Sequence, residues 1–119
     1  MPEPRQTLTV ELGERSYPIH IGRGLLADRA LLQNATAAES VMVVSNEAVA
    51  PLYLDTLKAG LAGRQVIATV LPDGEQEKRL ESMLPVFDEM LVNGLGRDSA
   101  VIALGGGVIG DLAGFVAAT

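Results

Sequence analysis

Three consecutive glycines, Gly105-Gly106-Gly107, follow the apolar run Ala100–Leu104 and precede an apolar stretch with helical character. A glycine turn between a strand and a helix lets the backbone approach a ligand with no Cβ in the way. The first amides of the helix have no acceptor within it and lie at the positive end of its dipole. That combination suits a pyrophosphate. Gly105, Gly107 and Gly110 also satisfy the spacing G-x-G-x-x-G, a weak signal by itself. The competing account is a tight turn whose glycines serve packing, and the strand–glycine–helix context favours phosphate binding over it. Asp111 lies in the first turn of the helix, where a carboxylate is favourable for purely structural reasons. It would repel a phosphate, so any ligand role is toward a ribose or nicotinamide group.

A second polar segment, Asp73-Gly74-Glu75-Gln76-Glu77-Lys78, follows the apolar run Gln65–Leu71. Asp73 can cap a helix and Gln76, three residues on, can complete a capping box. Spacing alone favours that account, although it leaves Gly74, Glu75 and Lys78 unexplained. A carboxylate here could accept from ribose hydroxyls, and an ammonium could neutralise phosphate. Asn46 ends the run Val41–Val44 in the manner of a helix cap. His20 is the single histidine, lies in a hairpin away from these segments, and reads as structural.

The elements that would position these residues follow from periodicity. Thr7–Leu12 and Tyr17–Ile21 alternate and bracket the turn-like Gly13–Ser16, as in a β-hairpin. Gly22 and Gly24 break the second strand, and Leu25–Leu32 is a short helix. Val41–Val44 is continuously apolar, as in a parallel strand buried on both faces. A helix is predicted over Glu47–Leu61, a strand over Gln65–Leu71, and a turn at Pro72–Gly74. Glu75–Val92 has a helical pattern that Pro85 should kink or divide, and Asn93–Gly96 ends it. Ala100–Leu104 is the next strand, and a helix runs from Val108. Strand–helix alternation of this kind predicts an α/β fold: a parallel Rossmann-like sheet with right-handed crossovers, helices on both faces and an amino-terminal hairpin appended to the same domain. In such sheets ligands bind at the carboxyl ends of the strands, where the glycine turn, Asp73–Lys78 and Asn46 all fall.

Composition narrows the function classes. The 119 residues fit one domain or part of one, with 48% hydrophobic residues to build a core and only 3% aromatic. A formal charge of −6 with scattered basic residues argues against a nucleic-acid surface. The chain has no Cys, which excludes disulfides and thiolate metal sites, and a lone His does not make a metal site of the usual kind. No secretory signal or membrane-length apolar run is present, so a cytoplasmic protein with no membrane partner is expected. The segment Val108–Thr119 is apolar on most faces and ends without a cap or polar tail, which suggests truncation. It is expected to leave Phe115 together with Val116 or Leu112 open, and so to drive self-association.

Taken together, RSYPIHIG leading into GLL, SNEAV, LPDGEQEK and RDSAVIALGGGVIGDLAGFVAAT resemble the 3-dehydroquinate synthase family over nearly the whole chain. The last two segments carry most of the specificity. The resemblance implies that residues 1–119 are the amino-terminal NAD-binding domain, without the carboxyl-terminal metal and substrate domain. It places Asp73, Gly74, Glu75, Gln76 and Lys78 in a first NAD-contacting element, with Glu77 at a variable position. Gly106, Gly107, Val108, Ile109, Gly110 and Asp111 fall in a second, and Asn46 near the adenosine end. It further implies a lyase of the shikimate pathway and aromatic amino acid biosynthesis. That enzyme converts the phosphorylated sugar acid 3-deoxy-D-arabino-heptulosonate 7-phosphate to 3-dehydroquinate and phosphate. NAD there oxidises a hydroxyl and returns the hydride after phosphate has left, and zinc or cobalt holds the substrate in the missing domain. No catalytic or metal-ligating residue is expected in this chain, which should be inactive alone; a homo-oligomer is expected of the parent.

Two enzymatic rivals share the scaffold: another sugar-phosphate cyclase, and a metal-dependent alcohol dehydrogenase of the glycerol dehydrogenase type, which often has Ser where this chain has Val108. A free-standing α/β signalling module would want an acidic cluster after its first strand, and none is present.

Overall fold

A computed structural model describes residues 6–73 and 80–118. Within them, β1 (Gln6–Val10) and β2 (Tyr17–Ile21) form an antiparallel hairpin. The rest alternates: α1 (Arg29–Ala35), β3 (Ser40–Asn46), α2 (Ala50–Gly60), β4 (Gln65–Leu71), α3 (Leu84–Val92), β5 (Ala100–Leu104) and α4 (Gly107–Ala118). The strands β3, β4 and β5 make a parallel sheet in the order β4-β3-β5.

Both faces of this sheet are covered, as a parallel sheet requires. Alternate residues of β3 point to opposite sides. Met42 and Val44 face a core completed by Val86 of α3 and by Ile109, Leu112 and Val116 of α4. Val41 and Val43 face Leu57 of α2, Leu61 and Leu104, with Leu26 and Leu32 packed alongside. Val41–Val44 at the middle of the central strand are wholly buried, which is why they form an unbroken apolar run.

Helix boundaries moved where local chemistry overrides the apolar pattern. The expected helix over Leu25–Leu32 is a 3-10 turn at Leu25–Ala27 followed by α1, because the Asp28 carboxylate accepts from the Leu31 amide and caps a new start. The helix expected from Glu47 begins at Ala50, since Pro51 is tolerated only in a first turn. Pro85 divides its segment as expected: a 3-10 turn at Leu80–Met83 precedes α3. The end of α3 is a Schellman motif. Gly94 is left-handed at φ 72°, Gly94 N donates to Leu91 O and Leu95 N to Met90 O.

One expectation is overturned. Leu112 and Val116 of α4 are 4% exposed, not open, whereas the side chain of Phe115 lies outside those the structure describes. Together with Ile109 and Ala113 they form the stripe that packs on the sheet, and a helix covering a parallel sheet turns such a stripe inward. Large exposed apolar side chains lie instead on the hairpin, at Leu8, Tyr17, Ile19 and Ile21, and on α2 and α3, at Leu52, Leu91 and Val92.

Candidate functional site

Parallel pairing brings the carboxyl ends of all three strands to one edge. Asn46 ends β3 opposite Leu71 of β4, and Ser45 lies opposite Leu104 of β5. Asp73 is two residues beyond β4, and Gly105 directly follows β5. The strand order puts Asn46 between the two chemical segments.

The glycine turn separates by role. A Cβ on Gly105 would lie 3.1 Å from the Ile109 side chain, so this glycine is needed for packing of turn against helix. A Cβ on Gly106, Gly107 or Gly110 would meet nothing within 4 Å, and none of the three has positive φ. Neither crowding nor backbone conformation explains them; they line open space. The first hydrogen bond of α4 runs from Gly110 N to Gly106 O at 3.0 Å. The amides of Gly107, Val108 and Ile109 precede it and have no acceptor within the helix by position. Ile109 itself is buried, with its side chain in the core beneath the turn. Asp111 falls one residue beyond the first turn of α4, not within it as expected, because the helix begins at Gly107; the side chains of Val108 and Asp111 lie outside those the structure describes.

The strand edge is fixed by side chains that sequence reasoning did not single out. Ser45 Oγ, fully buried, donates to Leu104 O at 2.8 Å and clamps the end of β5 before the glycines. Glu47 N donates to Leu71 O at 2.9 Å, and Asp73 N donates to Glu47 Oε1 at 3.5 Å. The usable signal was a serine interrupting an apolar strand one residue before Asn46. Asn46 is not the cap of α2, whose N-cap is Val49 without a side-chain hydrogen bond; its Oδ1 instead accepts from Ala48 N and Val49 N, closing the turn that leads into α2, because Pro51 sets the helix start later. Its Nδ2 donates to Asp73 Oδ1 at 3.2 Å, a contact that closing the turn does not require. Of the acidic segment only Asp73 is within the described residues, and the roles expected of Gly74, Glu75, Gln76, Glu77 and Lys78, the capping box included, lie outside them. His20 is on the hairpin, with Nδ1 3.0 Å from Thr7 Oγ1, away from this edge.

This is an α/β sheet with a glycine-lined helix start at its carboxyl edge. Two structures of 2-deoxy-scyllo-inosose synthase align with it at a TM-score of 0.76. One, described as complexed with carbaglucose-6-phosphate, NAD+ and Co2+, is 18% identical and covers 92% of this chain and 31% of that one. The other is 21% identical and covers 95% of this chain and 32% of that one.

Sequence narrows the class further. Residues 68–119 match the family model described as 3-dehydroquinate synthase N-terminal. The 3-dehydroquinate synthase of Methylococcus capsulatus is 58% identical over 113 residues, which is 95% of this chain and 32% of that protein. That of Pseudomonas fluorescens strain SBW25 is 56% identical over 113 residues, 95% of this chain and 31% of that protein. The chain matches these 3-dehydroquinate synthases over almost its whole length, and it spans about a third of theirs.

Proposed function

We propose that this chain supplies the NAD-binding part of a 3-dehydroquinate synthase, at the edge formed by Asn46, Asp73 and the turn Gly105–Gly107. The observation that carries the reading is the open space at Gly106, Gly107 and Gly110, where side chains would fit and none is present. Such a cradle admits a pyrophosphate against the backbone amides that begin α4. Gly74, Glu75, Gln76, Glu77, Lys78, Val108, Ile109 and Asp111 join the site on the strength of the family resemblance.

When bound, NAD supplies reversible hydride transfer. The chain's residues hold and orient it. The amides at the start of α4 take the negative charge, Asp73 accepts from ribose hydroxyls, and Ser45 keeps the glycine turn in place through Leu104. The reaction proposed for the whole enzyme is conversion of 3-deoxy-D-arabino-heptulosonate 7-phosphate to 3-dehydroquinate and phosphate. Zinc or cobalt is proposed to act there through residues other than these. Among the described residues no three His, Cys, Asp or Glu side chains cluster to hold such an ion.

Titration with NAD, followed by amide NMR, tests the binding reading. Shifts should concentrate at Gly105–Gly110 and around Asn46 and Asp73, and Gly107→Val should abolish them by filling the cradle. Shifts confined to other segments, or unchanged binding by Gly107→Val, would overturn it.

A further inference from the structure

Asn46 is 7% exposed, and both ends of its amide are committed. Two backbone amides donate to Oδ1, Val49 N at 2.9 Å and Ala48 N at 3.1 Å, and these fix which end of the group is oxygen. The nitrogen must then lie along the sheet edge, where it donates to Asp73 Oδ1 at 3.2 Å. Closing the turn alone does not select asparagine, because aspartate and serine accept from backbone amides as well. Of the three, only the amide carries two separate polar atoms, an oxygen that accepts from the turn and a nitrogen that donates to a carboxylate. The Glu47–Leu71 and Asp73–Glu47 hydrogen bonds tie the same two strand ends together, so Asp73 is held from both its backbone and its side chain.

From this geometry we infer that Asn46 is a positioning residue: it acts on the nucleotide through Asp73, by orienting that carboxylate toward a ribose hydroxyl. The inference rests on the proposed NAD site, and deepens it by giving Asn46 a role other than direct contact.

A charge-swap experiment tests it, with NAD as the probe and calorimetric titration as the readout. Asn46→Asp preserves the two acceptor contacts to Ala48 and Val49 but sets a carboxylate against Asp73. The like-charge contact should weaken NAD binding about tenfold or more, with the circular dichroism of the folded chain unchanged. Adding Asp73→Asn should restore most of the loss. The amide introduced at position 73 would donate from Nδ2 to the new carboxylate at position 46 and keep its Oδ1 as an acceptor for the hydroxyl. Asn46→Ser keeps an acceptor for the turn, but its single, shorter hydroxyl does not reach the place beside Asp73 that Nδ2 occupies; it should weaken binding less but in the same direction, and serves if Asn46→Asp does not fold.

Unchanged NAD affinity in Asn46→Asp or Asn46→Ser would confine Asn46 to closing the turn and overturn the inference. A double variant no better than Asn46→Asp would do the same, and would point to direct contact by Asn46. If Gly107→Val also leaves NAD binding untouched, the site itself is misplaced and the inference falls with it. If Gly107→Val abolishes binding while the swap fails to rescue, the site stands and only the role of Asn46 falls.

Discussion

Ser45 Oγ donates to the carbonyl of Leu104 across the sheet at 2.8 Å, fully buried, one residue before the glycine turn begins. A buried carbonyl that loses its donor costs about 1–3 kcal/mol. Ser45→Ala should therefore lower unfolding free energy by about that amount in denaturant titration. It should also loosen Gly105–Gly107, seen as faster amide exchange there than in β4. Loss of stability without a change in exchange at the turn would show that the bond secures β3 alone.

The glycines give a prediction in which stability and binding part company. Alanine is better than glycine inside a helix by about 0.8–1.0 kcal/mol. Gly110 and Gly114 lie within α4, and a Cβ on either meets nothing within 4 Å. Gly110→Ala and Gly114→Ala should each raise thermal stability. Gly110→Ala should weaken NAD binding, and Gly114→Ala, a turn further from the helix start, should not. Gly105→Ala should be destabilising by about 1–3 kcal/mol, because its Cβ would lie 3.1 Å from Ile109. Equal stability effects at the three positions would remove the distinction between packing and cradle glycines.

Much of this was legible because buried parallel strands and glycine punctuation are local signals. The run Val41–Val44 fits a strand covered on both faces, and the structure buries every one of those side chains. Asn46, Asp73 and the glycine turn could be placed at one edge because parallel strands share their carboxyl ends. What could not be read depends on tertiary partners. Asn46 looks the same in sequence whether its amide nitrogen meets water or Asp73. Leu112 and Val116 look exposed if α4 is taken alone, and become core once α4 lies on β3 and β5. The helix starts at Arg29 and Ala50 were locally encoded, by Asp28 and Pro51, and were outweighed by apolar residues upstream.

The chain by itself should not complete the proposed reaction. It contains one His and no Cys, and among its described residues no cluster of three acidic or imidazole groups could hold a divalent cation. With zinc or cobalt, NAD and 3-deoxy-D-arabino-heptulosonate 7-phosphate, release of phosphate should not exceed that of a protein-free control. Sustained phosphate release together with 3-dehydroquinate would place catalytic groups in this region.

The hairpin should be the site at which the chain associates with itself. Leu8 lies directly opposite Ile19, and Val10 opposite Tyr17, while Gln6 faces Ile21. Residues opposite one another in an antiparallel pair share a face, so five apolar side chains line one side of the ribbon. The other side carries Thr7, Thr9, Pro18 and His20. Among the described residues β1 and β2 pair only with each other, and Leu8 is 54% and Ile19 42% exposed. A lone two-stranded ribbon is marginal in water, and an apolar face of this kind gains stability when covered. Two copies can cover one another by the same face, giving an isologous contact. Sedimentation over a range of concentrations should show a reversible dimer. Ile19→Lys should shift it to monomer, and Thr9→Lys, on the opposite side, should leave it unchanged. Both substitutions fall on exposed positions and should alter stability of the monomer by less than about 0.5 kcal/mol, whereas Leu57→Ala in the core should cost about 2–5 kcal/mol. A chain that is monomeric at every concentration, or a dimer indifferent to Ile19→Lys, would show that this face is not where copies meet.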